Sequence, residues 1–180
     1  TITKVFQSPK IIEKISNFVD MTKLTADPSL YAGGLSMMFN GDFLNPHIDN
    51  SHDGKRKKYR RLNLLYYVSP EWELENGGNF ELWDNKVTVP LTLHSKFNRL
   101  VVMETNDASW HSVSPVKANA PRCCVSNYYF SDISPNGSEY FHVTSFTGRP
   151  EEHIKRAWGV IDNFSRNSVS KVLKVGRGKE

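Results

Sequence analysis

The sequence predicts a mainly β protein, an antiparallel barrel or sandwich with flanking helices. Three observations lead there. Short β-favouring runs recur between residues 35 and 130, and turn signals such as Asn40-Gly41-Asp42, Gly77-Gly78 and Asp84-Asn85 separate them. Helical periodicity is confined to the two ends of the chain. Two longer runs stand out: 61–68 is nearly continuously apolar and reads as a strand buried on both faces, and 122–130 reads as a last long strand.

The composition is that of one globular domain spanning residues 1–180, with 38% hydrophobic and 23% charged residues. No apolar run approaches the ~18 residues of a membrane span, and Thr1-Ile2-Thr3-Lys4 lacks the apolar core of a signal peptide. The adjacent Cys123 and Cys124 point to opposite faces of a strand, so reduced thiols and a cytoplasmic location are expected. The net charge of +4 is local. Residues 55–61 hold 6 of the 23 basic residues, leaving 17 against 19 acidic ones. This run reads as a solvated loop whose role the sequence leaves open.

The first element is a packing helix over about 9–19. Ser8 stands at its cap, Pro9 opens it, and Ile11, Ile15, Phe18 and Val19 form its apolar stripe. Leu35–Phe39 follows as a strand, with Met37 and Met38 as core filler. The Asn40-Gly41-Asp42 turn leads into Asn45-Pro46-His47-Ile48-Asp49-Asn50. Strand alternation turns His47 and Asp49 to one side, where they could grip one metal ion. A second histidine would complete the two-histidine, one-carboxylate face used by non-haem Fe(II) oxygenases. His111 is the candidate for it.

In Arg61–Val68, alternation puts Arg61, Asn63, Leu65 and Tyr67 on one side. After the Gly77-Gly78 turn, Asn79–Trp83 alternates as a strand, then come Val87-Thr88-Val89, Leu100–Met103 and the segment around His111. Arg122–Phe130 is the last long strand, with Arg122, Cys124, Ser126 and Tyr128 on one face. From about 150 to 175 the chain turns helical: Ile154, Trp158 and Ile161 form a stripe and a shorter segment holds Val169, Val172 and Leu173. These are expected to be helices covering the barrel, followed by a frayed basic tail, Lys174 to Glu180.

Taken in order, Asn-Gly-Asp-Phe before His47-Ile48-Asp49, Arg61-Leu62-Asn63-Leu64-Leu65-Tyr66-Tyr67, Gly77-Gly78, Phe80–Trp83, Asn98–Val102, His111–Val116 and Arg122 resemble the Fe(II)- and 2-oxoglutarate-dependent dioxygenases, in their prolyl 4-hydroxylase-like branch. The resemblance runs from about 35 to 130. It implies a double-stranded β-helix (jelly-roll) barrel, with iron held by His47, Asp49 and His111 and the distal carboxylate of 2-oxoglutarate clasped by Arg122. Tyr67 and Ser126 are helper candidates for that carboxylate, and no catalytic residue is implied beyond the metal ligands. The implied cofactors are Fe(II), 2-oxoglutarate and molecular oxygen.

Hydroxylation of a prolyl residue in a peptide or protein is the implied activity; hydroxylation of a small molecule or sugar is the alternative. From another class comes a non-catalytic cupin-like binding barrel, which would show more histidines clustered with a glutamate. A nucleic-acid partner is disfavoured, because relatives that act on nucleic acids carry a second arginine six residues after the first, where this chain has Tyr128. Of the other histidines, His94 falls at an unsuitable spacing, His52 abuts the loop, and His142 and His153 lie beyond the last expected barrel strand. No membrane partner is expected, and oligomeric state is not legible.

Overall fold

The computed structural model describes residues 2–31 and 33–173. Among the described residues, ten strands form two antiparallel sheets that face each other. The first sheet runs β1 (Thr25–Ala26), β9 (Arg122–Ser131), β4 (Tyr59–Tyr67), β7 (Leu100–Glu104), with β2 (Gly34–Met38) also paired to β9. The second runs β10 (Ser145–Phe146), β3 (Leu44–Ile48), β8 (His111–Val113), β5 (Phe80–Trp83), β6 (Pro90–Leu93). From β2 to β10 successive strands alternate between the two sheets except at the β5–β6 hairpin, which is the jelly-roll arrangement that the resemblance implies.

The two long apolar runs are the centre of the first sheet, where β4 and β9 pair over most of their length. Burial on both faces explains their nearly continuous apolar character. On the outer face, Leu62, Leu64 and Tyr129 pack with Phe6, Ile15 and Leu24 under helices α1 (Ile2–Phe6) and α2 (Pro9–Phe18). On the inner face, Tyr67, Phe80, Met103 and Cys124 form a second cluster between the sheets.

Several expectations need correction. Ser8 occupies the cap position of α2, but its hydroxyl donates back to the Val5 carbonyl rather than capping the helix. Phe18 is exposed; Ile12 packs on the core with Ile11 and Val19 instead. Met37, on the edge strand β2, is half exposed rather than core filler. The strand after the Asp84 turn begins at Pro90 rather than Val87, because Asp84 accepts from the Thr88 amide and hydroxyl and extends the turn. The basic run is not one solvated loop: Arg60 and Arg61 lie in β4 and are buried.

The barrel also extends past 35–130, from β1 to β10. Beyond it the described residues form one helix, α3 (His153–Leu173), where two shorter ones are expected. Asn163 and Asn167 weaken helical propensity at its middle, but both serve the open edge of β10 and the segment before it. Asn163 accepts from the Phe146 amide and donates to the Phe146 carbonyl, and Asn167 accepts from the Val143 amide. Gly159 allows this approach, since a Cβ there would sit 2.8 Å from the Phe146 carbonyl oxygen. The helix therefore docks by its polar face, and the Ile154, Trp158 and Ile161 stripe points to solvent rather than to the barrel. The basic tail from Lys174 lies outside the described residues.

Candidate metal centre and cofactor pocket

Within β3 the register shifts between Leu44 and His47, around Pro46, which has no N–H to give the ladder. Beyond that irregularity His47 pairs directly opposite His111 of β8. Directly paired residues share a face, so the two rings meet inside the barrel with centroids 4.1 Å apart. Asp49, just past the end of β3, reaches the same point: its carboxylate oxygens lie 3.9 Å from His47 Nε2 and 3.8 Å from His111 Nε2. One ligand atom from each of the three falls within 4.8 Å of the others, the spacing of a set able to hold one metal ion.

The protonation states suit that use. His47 Nδ1 is 2.9 Å from the Asn45 carbonyl, and His111 Nδ1 is 2.9 Å from the Ser109 carbonyl. A carbonyl only accepts, so each Nδ1 carries the proton and each Nε2 presents a lone pair to the centre. Burial, reinforced by the neighbouring His111, lowers the pKa of His47 to about 4, so it stays neutral at physiological pH. Burial alone would raise the Asp49 carboxyl, but the Arg60 guanidinium, with the two histidines, outweighs it and holds the group ionised.

Arg60 is the member of the site that sequence alternation does not reveal. Its Nη1 lies 3.3 Å from Asp49 Oδ2, its guanidinium rests 3.8 Å over the Tyr128 ring, and the side chain is 1% exposed. A register shift between Arg60 and Leu62 against β9 brings it onto the Asn63 side of the strand. Arg61, which simple alternation assigns to that side, instead bonds the Ile133 carbonyl and pairs with Glu104. Asn63 does face the centre, donating to Asp49 Oδ2 at 3.3 Å.

Two further groups come from beyond residue 130. His142 Nε2 lies 2.8 Å from the Asp49 backbone carbonyl, so this histidine supports the centre although it follows β9. Phe146, opposite His47 in the β10 ladder, stacks on its ring at 5.1 Å. Behind β8, Ser112 donates to Glu81, which is also paired with Arg149 at 2.8 Å, anchoring the strand that carries His111.

Arg122 opens β9 in a buried pocket. Its Nε donates to the Gly78 carbonyl at 3.0 Å, and its guanidinium lies 4.9 Å from the Tyr67 ring centroid. Gly78 adopts φ +62°, and a Cβ there would press to 3.0 Å on Arg122 Cγ, which is the reason for glycine at this turn. The Tyr67 hydroxyl is buried beside Arg122 and Ser95 without a well-formed hydrogen bond, and burial pushes its pKa up to about 12. A buried, unsatisfied donor beside a guanidinium fits a carboxylate ligand. Ser126 stands apart from this pair: its hydroxyl donates to the Gly34 carbonyl of β2. His94 is held by the Trp72 carbonyl.

Beside the centre runs a cleft of about 620 Å³ lined by residues that include Asn50, His52, Phe141, His142, Phe146 and Val169. It lies between the loop after β3, the segment before β10, and α3.

Comparison with known proteins gives a consistent result. The family profile of the 2OG-Fe(II) oxygenase superfamily matches residues 33–130, more than half of the chain. Prolyl 3-hydroxylase OGFOD1 of Xenopus laevis is 29% identical over 108 residues, which are 55% of this chain and 21% of that protein. Among solved structures, a prolyl 4-hydroxylase from Phytophthora capsici superposes with a TM-score of 0.55 at 18% identity, over 96% of this chain and 55% of that one. At that identity the likeness is one of fold. The chain thus spans about a fifth to just over half of the length of these relatives.

Proposed function

The chain belongs to the 2OG-Fe(II) oxygenase superfamily, and from that premise we propose that it is a 2-oxoglutarate-dependent dioxygenase that hydroxylates a prolyl residue in a peptide or protein. The observation that carries the enzyme reading is the convergence of His47, Asp49 and His111, with both Nε2 lone pairs and an ionised carboxylate turned to one point. That donor set suits Fe(II) and leaves other coordination positions open. When bound, Fe(II) with 2-oxoglutarate and oxygen supplies the oxidising power to hydroxylate an unactivated C–H bond.

The protein's own residues do the rest. The carbonyls of Asn45 and Ser109 fix the ring orientations, while Arg60 and Asn63 fix the carboxylate. Arg122 would clasp the distal carboxylate of 2-oxoglutarate and Tyr67 would donate to it, through a hydroxyl that burial keeps protonated. The apolar pair Phe146 and Phe80 flank the histidines and limit water at the centre.

The prolyl substrate is supported by the name of the Xenopus relative. Residues 2–173 are proposed to work as one unit, the helices serving the barrel. No helix among the described residues is long and apolar enough to cross a membrane; the free Cys123 and Cys124 support a cytoplasmic site of action.

The test is succinate production from 2-oxoglutarate by anaerobically iron-loaded protein exposed to oxygen, with and without proline-rich peptide. Asp49→Ala is the control. Oxygen-dependent succinate that the variant lacks, stimulated by peptide, is expected, and the position of the new hydroxyl on the ring follows from product analysis. Stimulation by sugars or small molecules but not by peptides would overturn the prolyl assignment alone. Failure to bind Fe(II) and 2-oxoglutarate together would overturn the enzyme assignment.

A further inference from the structure

Helix α3 is amphipathic, and it is docked the opposite way from an ordinary surface helix. Arg156, Gly159, Asn163, Asn167 and Ser170 recur at intervals of three and four, and this polar stripe meets the barrel. Arg156 donates to the carbonyls of Lys86 and Val87, Gly159 and Asn163 lie on Phe146, Asn167 bonds Val143, and Ser170 accepts from Arg56. The opposite face holds Ile154, Trp158, Ile161 and Phe164, each between 59 and 77% exposed.

Aromatic side chains such as Trp158 and Phe164 bury ~150–250 Å² each, and with Ile154, Ile161 and Val160 the exposed face is on the order of the 800 Å² that one partner contributes to a standard interface. A monomer rarely leaves such a patch bare.

We propose that this face is the contact between two copies of the chain, packed as antiparallel α3 helices about a two-fold axis through Ile161. The sequence is complementary to itself in that arrangement. With Ile161 on the axis, Trp158 of each copy meets Phe164 of the other, Ala157 meets Ser165, and Ile154 meets Ser168. Large groups thus face groups they can pack against, and the two small ones let the helices approach. The same register sets each helix N-terminus beside a C-terminus, a favourable dipole alignment.

Two other occupants fit less well. A lipid surface calls for excess cationic charge along the flanks, but Arg166 is paired with Asp162 and Lys155 with Glu152. The residues from Lys174 to Glu180 contain one apolar side chain and offer little to cover the face. A dimer of this form would also brace α3 from outside while its inner side walls the cleft next to His47.

The experiment is sedimentation velocity on the whole chain across a concentration series, with dimer formation at micromolar concentration or tighter expected. Ile161→Glu puts two buried like charges on the axis and should weaken association by about a hundredfold or more. Because Ile161 is 59% exposed and makes no core contact, the circular dichroism spectrum should not change. The register has its own test: Ile161→Cys should cross-link to its copy under mild oxidation above the wild-type background, whereas Ile154→Cys should require Ser168→Cys in the same chain. A protein that remains monomeric, an Ile161→Glu variant that still dimerises, or binding to phosphatidylserine vesicles in place of self-association would each overturn the proposal.

Discussion

Arg60 is buried with its guanidinium 3.3 Å from Asp49 Oδ2, so the carboxylate proposed to bind iron has a fixed cationic partner within the protein. Removing one member of a buried pair strands the other as an uncompensated charge. Arg60→Met should therefore destabilise metal-free protein by roughly 3–5 kcal/mol. A divalent ion would take over part of the countercharge role, so Mn(II) should recover more stability in the variant than in the wild type. Urea unfolding with and without Mn(II) measures both; equal recovery would show that Arg60 and the metal do not share Asp49.

Arg122 and Tyr67 are proposed to hold one carboxylate between them, and their substitutions should differ in size. A charge-assisted pair outweighs a neutral hydrogen bond, so Arg122→Ala should weaken 2-oxoglutarate binding about a hundredfold and Tyr67→Phe about tenfold. Calorimetric titration of Mn(II)-loaded protein separates them. Ser126→Ala should leave this affinity unchanged, because its hydroxyl is spent on Gly34.

His47 sets an acid limit on the metal-free protein. Its pKa is about 4 when folded against 6.5 when exposed, so between these values the unfolded chain binds the extra proton. Stability from this group is full above pH 6.5 and falls as pH drops toward 4, by roughly 3 kcal/mol in all. His52 and His142, whose pKa values burial also lowers, act in the same direction. Chemical denaturation from pH 7.5 to 4.5 should show this decline, and His47→Gln should flatten it.

Asn163 closes the open edge of β10 with two hydrogen bonds to Phe146. Asn163→Ala should cost about 1–3 kcal/mol locally by leaving those backbone groups unsatisfied. Hydrogen exchange should accelerate along α3 and at residues 145–147 while β4 and β9 stay protected. Acceleration spread through the barrel would mean that α3 is integral to the core.

By itself the sequence determined the barrel and the residues that converge in it. Alternation, turn residues and uninterrupted apolar runs are local records of strand burial, and they locate β2, β3, β4, β5, β7 and β9. His47 and Asp49 were legible as a pair because strand alternation turns residues two apart to one side, whereas His111, Arg122 and Tyr67 were candidates through the resemblance of the ordered motifs to the oxygenases. Where the period broke, the reading broke with it. The register shift at Arg60 put that arginine, not Arg61, beside Asp49, and only the pairing of β4 with β9 fixes such a shift. His142 and Phe146 joined the centre because the chain returns after β9 to pair with β3, a contact between residues almost a hundred positions apart. The orientation of α3 was likewise decided by tertiary structure. An apolar stripe records that a helix has something to bury, but the unsatisfied edge of β10 selected the polar face first, and the stripe was left pointing outward.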